Sequence, residues 1–380
     1  MLTNIRFFLG FFVLIGTFIQ CQSKDKSALD VSNSAKNVRY AKGFSIDRYD
    51  GFSILRVSNI FPNSKNNFTY ILHKKNSSIP DSLKQYCSIE VPIKKIITTS
   101  TTHIPALESL NVAKSLIGFP TPNYISSVET RAWIDAGNVK DLGTNQGLNT
   151  EIILDLQPDV LVGYSVDGDL KVYQNLEKNG IKIVYNSDWT EQSPLGRAEW
   201  IKFFGALYDL DEKATLLFNE IEKEYTKTAL LAKSASFRPS VFAGAMYKEQ
   251  WFMPQGESWA AQFINDANAN YLWSHTKGSG SLALSFEQVL DKAQTATFWI
   301  GPGQFTSYKE MEAANSNYLY FDAVTKKNTY SFSTKKGKTG GVLYYELAQN
   351  RPDLVLQDLV KILHPELLPN YQLHFFEKLK

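Results

Sequence analysis

Cysteine and surplus charge are both scarce in this chain. Its 380 residues include only two cysteines, Cys21 and Cys87, and 40 basic residues are almost balanced by 38 acidic ones. If Cys21 is modified, as argued below, Cys87 is a single thiol that cannot form an internal disulfide, and we interpret it as a small buried apolar residue. The net charge is only +2 and no long basic run occurs, so the sequence lacks the basic patch that is typical of nucleic-acid-binding proteins.

The motifs of common enzymes and of tight zinc sites are also absent. The five histidines never occur in H-x-x-x-H or H-E-x-x-H spacing. The sequence has no G-x-S-x-G elbow, no G-x-x-x-x-G-K-[ST] phosphate loop and no G-x-G-x-x-G after the first predicted strand. We therefore predict no catalytic residue, no metal site and no resident cofactor.

Long hydrophobic runs are missing apart from residues 7–19, near the N-terminus. That run is shorter than the roughly 20 residues that a membrane-spanning helix needs, and it fits the apolar core of a secretory signal. Cys21 follows, and then a polar stretch, an arrangement that resembles a lipoprotein signal in which the cysteine becomes the acylated first residue. The alternatives are an ordinary cleaved signal peptide and an uncleaved anchor. We predict a signal peptide at residues 1–20, lipidation of Cys21 and a flexible tether over residues 21–36.

These features together predict an exported, periplasmic protein that is attached to a membrane only through its lipid. Residues 37–90 contain short β-type runs separated by turn residues, which predict a small β extension. From residue 91 onward, apolar strands alternate with helices, and this pattern predicts a parallel sheet covered on both faces.

A long helical stretch at residues 209–235 interrupts the alternation, which restarts after it. About 23 helical residues at a rise of 1.5 Å span about 34 Å, enough to bridge two lobes. Asp209 and Glu212 match a capping box at its start. We predict an α/β fold in which two Rossmann-like lobes with parallel sheets, residues 91–208 and 236–380, are joined by a long rigid helix. The alternative is a surface helix of a single domain.

An internal repeat of sequence supports the two lobes. Glu151 lies in a predicted helix before an apolar strand that ends at Gly163, and Glu287 lies in a similar helix before a strand that ends at Gly301. The order of helix, strand and glycine is the same in both copies.

Six segments occur in the order found in class III periplasmic binding proteins, which deliver siderophores, haem or cobalamin to ABC permeases. They are residues 93–110, 142–164, 180–189, 284–301, 321–332 and 350–369. The chain resembles that family over about residues 90–370, and its extension and loose lipobox resemble a Bacteroidetes-type member. The resemblance implies that the ligand lies between the lobes and that the partners are a permease dimer and its ATPase subunits. A ferric siderophore is the first choice of ligand, cobalamin the second and haem the third.

Open α/β sheets bind ligands at the carboxyl ends of their strands, and aromatic walls suit macrocycles and siderophores. The predicted ligand contacts are Thr101, Thr102, His103, Phe119, Tyr164 and Trp189 in the N-terminal lobe, and Met246, Trp251, Trp259 and Trp299 in the C-terminal lobe. Aromatic residues make up 13% of the chain, so core packing is the alternative for each aromatic one.

The family also pairs one glutamate on each lobe with arginines of the permease dimer, and the resemblance implies this role for Glu151 and Glu287. The alternative is that each stabilises a helix N-terminus by about 0.3–1 kcal/mol. Two alternative functions stay open. One is a secreted α/β hydrolase, for which His103 is the plausible cleft base. The other is a scavenging lipoprotein that works without a permease.

Overall fold

The computed structural model describes residues 38–62 and 64–380. The predicted signal peptide, the tether and Cys21 lie outside the described residues. Within them, no helix combines the length and apolarity that crossing a membrane requires.

The N-terminal extension forms a four-stranded sheet in the order β1-β2-β3-β4, with β3 and β4 parallel and the other neighbours antiparallel. Its strands are β1 (Phe44–Arg48), β2 (Phe52–Ser58), β3 (Asn67–His73) and β4 (Cys87–Glu90). The inward-facing side chains of Leu55, Val57, Tyr70 and Leu72 join the same hydrophobic core as the N-terminal lobe. The extension is therefore packed onto that lobe and is not a separate unit.

The N-terminal lobe contains a parallel sheet in the order β11-β10-β5-β6-β7. Its strands are β5 (Ile96–Thr98), β6 (Leu116–Phe119), β7 (Lys140–Asp141), β8 (Gly143–Thr144), β9 (Gly147–Leu148), β10 (Val160–Gly163) and β11 (Ile183–Tyr185). Its helices are α1 (Ile104–Ser109), α2 (Val128–Asp135), α3 (Thr150–Leu156), α4 (Lys171–Lys178), α5 (Pro194–Glu199) and α6 (Ile201–Leu207). Every residue of β10 is buried, as expected of a strand covered on both faces.

The C-terminal lobe has a sheet in the order β15-β12-β17-β18-β19, of which only β19 is antiparallel to its neighbour among the described strands. A small antiparallel sheet, β13-β14-β16, lies beside it. The strands are β12 (Ser240–Ala243), β13 (Ala245–Tyr247), β14 (Gln250–Pro254), β15 (Asn270–Tyr271), β16 (Ser281–Leu284), β17 (Phe298–Ile300), β18 (Thr329–Ser331) and β19 (Glu377–Lys378). The helices are α8 (Trp259–Asp266), α9 (Phe286–Ala293), α10 (Tyr308–Ala314), α11 (Asp322–Thr325), α12 (Leu343–Leu347) and α13 (Pro352–Leu363).

Four parallel strands of each lobe share one order. In the N-terminal lobe β5 lies between β6 and β10, with β11 outside β10; in the C-terminal lobe β12 lies between β15 and β17, with β18 outside β17. The fifth strand differs, because β7 lies beside β6 whereas β19 lies beside β18. The repeat seen in the sequence falls on equivalent elements, because α3 precedes β10 and α9 precedes β17. The predicted pair of Rossmann-like lobes is confirmed.

Helix α7 (Asp211–Ala232) joins the lobes, as predicted, and its 22 residues span about 33 Å. Ala214 and Phe218 contribute to the first hydrophobic core, whereas Tyr225 and Ala232 contribute to the second. The predicted capping box is wrong. Leu210 occupies the N-cap, and Asp209 adopts a left-handed conformation (φ 54°) and forms an ion pair with Lys74 at 3.0 Å.

Candidate ligand-binding cleft

A cavity of about 730 Å³ opens where the two lobes and the extension meet. The N-terminal lobe contributes residues 189–193, in the loop after β11, and Arg197 of α5. The C-terminal lobe contributes Trp259 at the start of α8 and the loop at residues 279–280. The strand β11 ends at Tyr185, so the cavity lies at the carboxyl edge of the first sheet, where an open α/β sheet places its ligand.

Arg197 lines this cavity from α5. Its Nη2 donates to the carbonyl of Trp189 at 2.6 Å, and its Nε donates to the carbonyl of Glu191 at 3.1 Å. Its guanidinium carbon lies 4.5 Å from the ring centroid of Trp259. Its Nη1 donates to Gln349 Oε1 at 3.4 Å, so all three of its nitrogens bond uncharged oxygens among the described residues. Burial lowers the pKa of Arg197, but an arginine remains charged at neutral pH.

A polar network joins the lobes behind the cavity. The buried Oδ2 of Asp188 accepts from Thr102 Oγ1 at 3.1 Å and from Nε2 of Gln349 at 2.8 Å. Asn350 Nδ2 also donates to the carbonyl of Thr102 at 2.9 Å. The turn that carries Thr101 and Thr102 is therefore half-buried beneath the C-terminal lobe.

A second contact between the lobes involves α12. The carboxylate of Glu346 accepts from the backbone N–H groups of Ser126 and Ser127 at 2.6 and 3.0 Å. Glu108 binds the same segment through the Ser127 and Thr130 hydroxyls. Burial, helped by repulsion from Glu108, raises the pKa of Glu346 to about 7.

Two predicted contacts, Trp189 and Trp259, line the cavity. Four others are wrong as ligand contacts, because Phe119, His103, Trp251 and Trp299 are at most 2% exposed. Each of these side chains fills a core instead.

The four misplaced residues differ in how they become buried. Phe119 is the last residue of β6, and Trp299 lies within β17. Trp251 belongs to β14 and not to a loop; its Nε1 donates to the carbonyl of Ala243 at 3.1 Å. His103 packs against Phe204 with ring centroids 5.5 Å apart, and burial lowers the pKa of its imidazole. A fully enclosed histidine cannot reach a substrate, so the predicted base of a hydrolase is excluded.

Tyr164 and Met246 lie away from the cavity. Tyr164 lines a separate groove of about 540 Å³ on the N-terminal lobe, where its hydroxyl accepts from Asn145 Nδ2 at 3.1 Å. Burial raises the pKa of Tyr164, which keeps the phenol protonated. Met246 is half-buried in β13, opposite Trp251.

Glu151 and Glu287 are exposed in the first turns of α3 and α9, at equivalent places in the two lobes. Each helix already has a capping side chain: Asn149 accepts from Ile152 N–H, and Ser285 accepts from Gln288 N–H. Backbone and Ser285 hydrogen bonds lower the pKa of Glu287. Both carboxylates are thus exposed at equivalent helix starts of the two lobes.

The sequence reasoning missed Arg197 and the contribution of the extension. The available signal for Arg197 was local: Ser193 and Pro194 form a helix start directly after the loop of Trp189, and Ser193 Oγ accepts from Gly196 N–H at 3.0 Å.

The chain resembles several known proteins. The family model described as "Periplasmic binding protein" matches residues 96–334, which is more than half of the chain. An uncharacterized lipoprotein of Methanocaldococcus jannaschii is 26% identical over 390 residues, covering 95% of this chain and 90% of the relative. A possible iron-binding periplasmic protein of Staphylococcus epidermidis has a TM-score of 0.55 at 17% identity, covering 72% of this chain and 99% of that one.

The periplasmic heme-binding protein HutB of Vibrio cholerae has a TM-score of 0.54 at 16% identity, covering 69% of this chain and 99% of that one. At such identities the solved structures show the shared fold, and the matched family model shows the membership. The chain belongs to the periplasmic binding protein family and is therefore a substrate-binding protein and not an enzyme.

Proposed function

We propose that this protein is the substrate-binding component of an ABC importer and that it binds an anionic ferric siderophore in the cavity between its lobes. The observation that carries the proposal is Arg197, a cation held against Trp259 at the cavity without a carboxylate partner among the described residues. Trp189 and Trp259 supply flat apolar surface beside it. An aromatic wall with one fixed cation suits a chelate that carries aromatic rings and negative charge.

Cobalamin is the second candidate and haem the third. Haem iron is generally held by His, Cys, Met or Tyr, and the described lining includes only Tyr40 from that set. The hydroxyl of Tyr40 donates to Glu222 at 2.5 Å, so its oxygen is already hydrogen-bonded to a group other than the ligand. The lining therefore favours a chelate whose metal is already fully coordinated.

Delivery requires a membrane location and a docking surface. We infer that Cys21 is lipidated and anchors the exported protein, and that Glu151 and Glu287 pair with arginines of the permease dimer. The equivalent positions of the two carboxylates on topologically matching helices support a pseudo-twofold docking surface.

The test of ligand identity is a tryptophan-quenching titration of the purified mature chain. The probes are a ferric tris-catecholate, a ferric trihydroxamate, cyanocobalamin and haem, with free tryptophan amide as the control for inner-filter absorption. The tris-catecholate is expected to bind most tightly, because it combines aromatic rings with the highest negative charge. Tighter binding of cyanocobalamin or haem than of the tris-catecholate, or binding of none of the four probes, would overturn the proposal.

A further inference from the structure

The cavity has a third wall that the family core does not supply. Of the described residues that line it, six belong to the N-terminal extension: Tyr40, Lys42, Gly43, Asn59, Phe61 and Pro62. These residues precede the region matched by the family model, which begins at residue 96. The extension thus reaches the same cavity as Trp189 and Trp259.

Two buried glutamates fix the first of these segments in place. The Glu199 carboxylate accepts from the backbone N–H groups of Arg39, Tyr40 and Ala41 at 2.6–2.9 Å. Glu191 Oε1 accepts from the N–H groups of Lys42 and Gly43, both at 2.8 Å. Five consecutive backbone donors are therefore held by the N-terminal lobe, so the segment is part of the wall and not a loose tail.

Close packing also defines this position. A Cβ at Gly43 would lie 2.5 Å from Ser187 Oγ and 2.8 Å from the ring of Trp200, so only glycine allows the approach. Ser187 Oγ donates to the carbonyl of Ser58 at 3.0 Å, which fixes the start of the second segment. Phe61 in that segment packs over Gly168, where a Cβ would lie 2.9 Å from its ring.

The charge of this wall is positive. Lys42 is exposed at the cavity and forms no ion pair among the described residues. The lining carboxylate, Glu191, is 5% exposed, and its Oε1 is already occupied by Lys42 N–H, Gly43 N–H and Trp200 Nε1–H. Lys42 and Arg197 thus present two cations to the cavity against one enclosed carboxylate.

We propose that residues 40–43 and 59–62 form a third wall of the ligand cavity, with the Lys42 ammonium binding a negatively charged ligand and Phe61 packing against it. This inference rests on the proposed function, because it assigns the same cavity. The extension would then help the two lobes to determine which chelate the protein accepts.

The test compares Lys42→Ala and Phe61→Ala with Lys75→Ala in the mature chain. Lys75 is an exposed lysine of the same extension and lies outside the cavity lining, so its removal changes the net charge equally. Lys42→Ala is expected to weaken binding of the ferric tris-catecholate about fivefold, and that of an uncharged ferric trihydroxamate much less. Raising the salt concentration should shrink the difference, since salt screens exposed charges.

The outcomes separate the two proposals. If the wild type binds the tris-catecholate and Lys42→Ala and Phe61→Ala both match Lys75→Ala, the third wall is refuted and the function stands. If the wild type binds none of the probes, both proposals fall. Circular dichroism of each variant shows whether the extension remains folded, and Lys42→Arg should restore tris-catecholate binding if charge is the cause.

Discussion

Arg197 of the N-terminal lobe and Trp259 of the C-terminal lobe meet across the cleft, with the guanidinium carbon 4.5 Å from the ring centroid. The geometry is that of a cation–π contact. Tyr344 stacks on Trp259 at 6.2 Å, which fixes the indole from within its own lobe. The contact therefore joins the two lobes at the cavity itself.

Arg197→Lys is expected to weaken binding of the ferric tris-catecholate about tenfold, or about 1.4 kcal/mol. Lysine keeps the charge but loses the planar fork that bonds the carbonyls of Trp189 and Glu191 and stacks on Trp259. Isothermal titration measures the change. Arg238→Lys is the matched control, since Arg238 bonds the carbonyl of Ala269 outside the cavity lining. Equal affinities for the two variants would contradict a binding role for Arg197.

Trp259 and Trp251 should respond in opposite ways to substitution. Trp259→Leu removes a cavity wall and is expected to lower ligand affinity with a small effect on stability. Trp251→Phe removes a buried hydrogen bond and core volume, so it should lower the free energy of unfolding by about 2 kcal/mol. The ligand affinity of the folded variant should equal that of the wild type. Chemical unfolding and quenching titrations measure the two quantities. Loss of affinity in Trp251→Phe at full stability would mean that the indole reaches the ligand.

The architecture followed from the sequence because it depends on periodicity. The alternation of strand and helix, the repeat around Glu151 and Glu287, and the long helix at residues 209–235 all record burial patterns that repeat along the chain. Such repeating patterns can be read directly from the amino-acid sequence. Trp189 was predicted at the cavity because it follows a strand end, and Trp259 because it lies near the loop after another strand; sheet topology alone brings such loops together.

The remaining site residues depend on packing that no local pattern encodes. Trp251 and Trp299 follow or interrupt apolar runs just as Trp189 does, yet their rings are enclosed by Phe242 and Phe321. The position of Lys42 at the cavity depends on the hydrogen bond from its backbone N–H to Glu191, about 150 residues away in the sequence. Such long-range contacts are set by how the extension packs onto the lobe, which one sequence does not reveal.

Glu346 should make the contact between the lobes sensitive to pH. Its pKa of about 7 exceeds the ordinary value of 4.5, so the folded protein retains a proton that the unfolded chain releases between these pH values. Stability from this group is therefore greatest below pH 4.5 and falls as the pH rises through about 7, by up to about 3 kcal/mol.

Glu346→Gln is expected to remove this slope and to be more stable than the wild type at pH 8, because the amide oxygen still accepts a backbone hydrogen bond while the buried charge is lost. Thermal unfolding at pH 5.5 and pH 8 measures the difference between the two proteins. Glu366→Gln is the control, since Glu366 is exposed in the same lobe. If the thermal stability of the wild type and that of Glu346→Gln change equally between the two pH values, the Glu346 carboxyl is not the source of the pH dependence.

Charge reversal separates permease docking from helix stabilisation at Glu151 and Glu287. Glu151→Lys and Glu287→Lys are expected to keep ligand affinity, because both residues are exposed and outside the cavity lining, and to abolish stimulation of the transporter ATPase in proteoliposomes. Glu129→Lys and Glu310→Lys are matched controls, since these exposed acids occupy the first turns of α2 and α10 and carry the same helix-dipole cost of about 0.3–1 kcal/mol. Docking predicts that only the first pair loses stimulation. Similar losses in all four variants would assign the effect to the helix ends, and full stimulation in Glu151→Lys and Glu287→Lys would remove both residues from the docking surface.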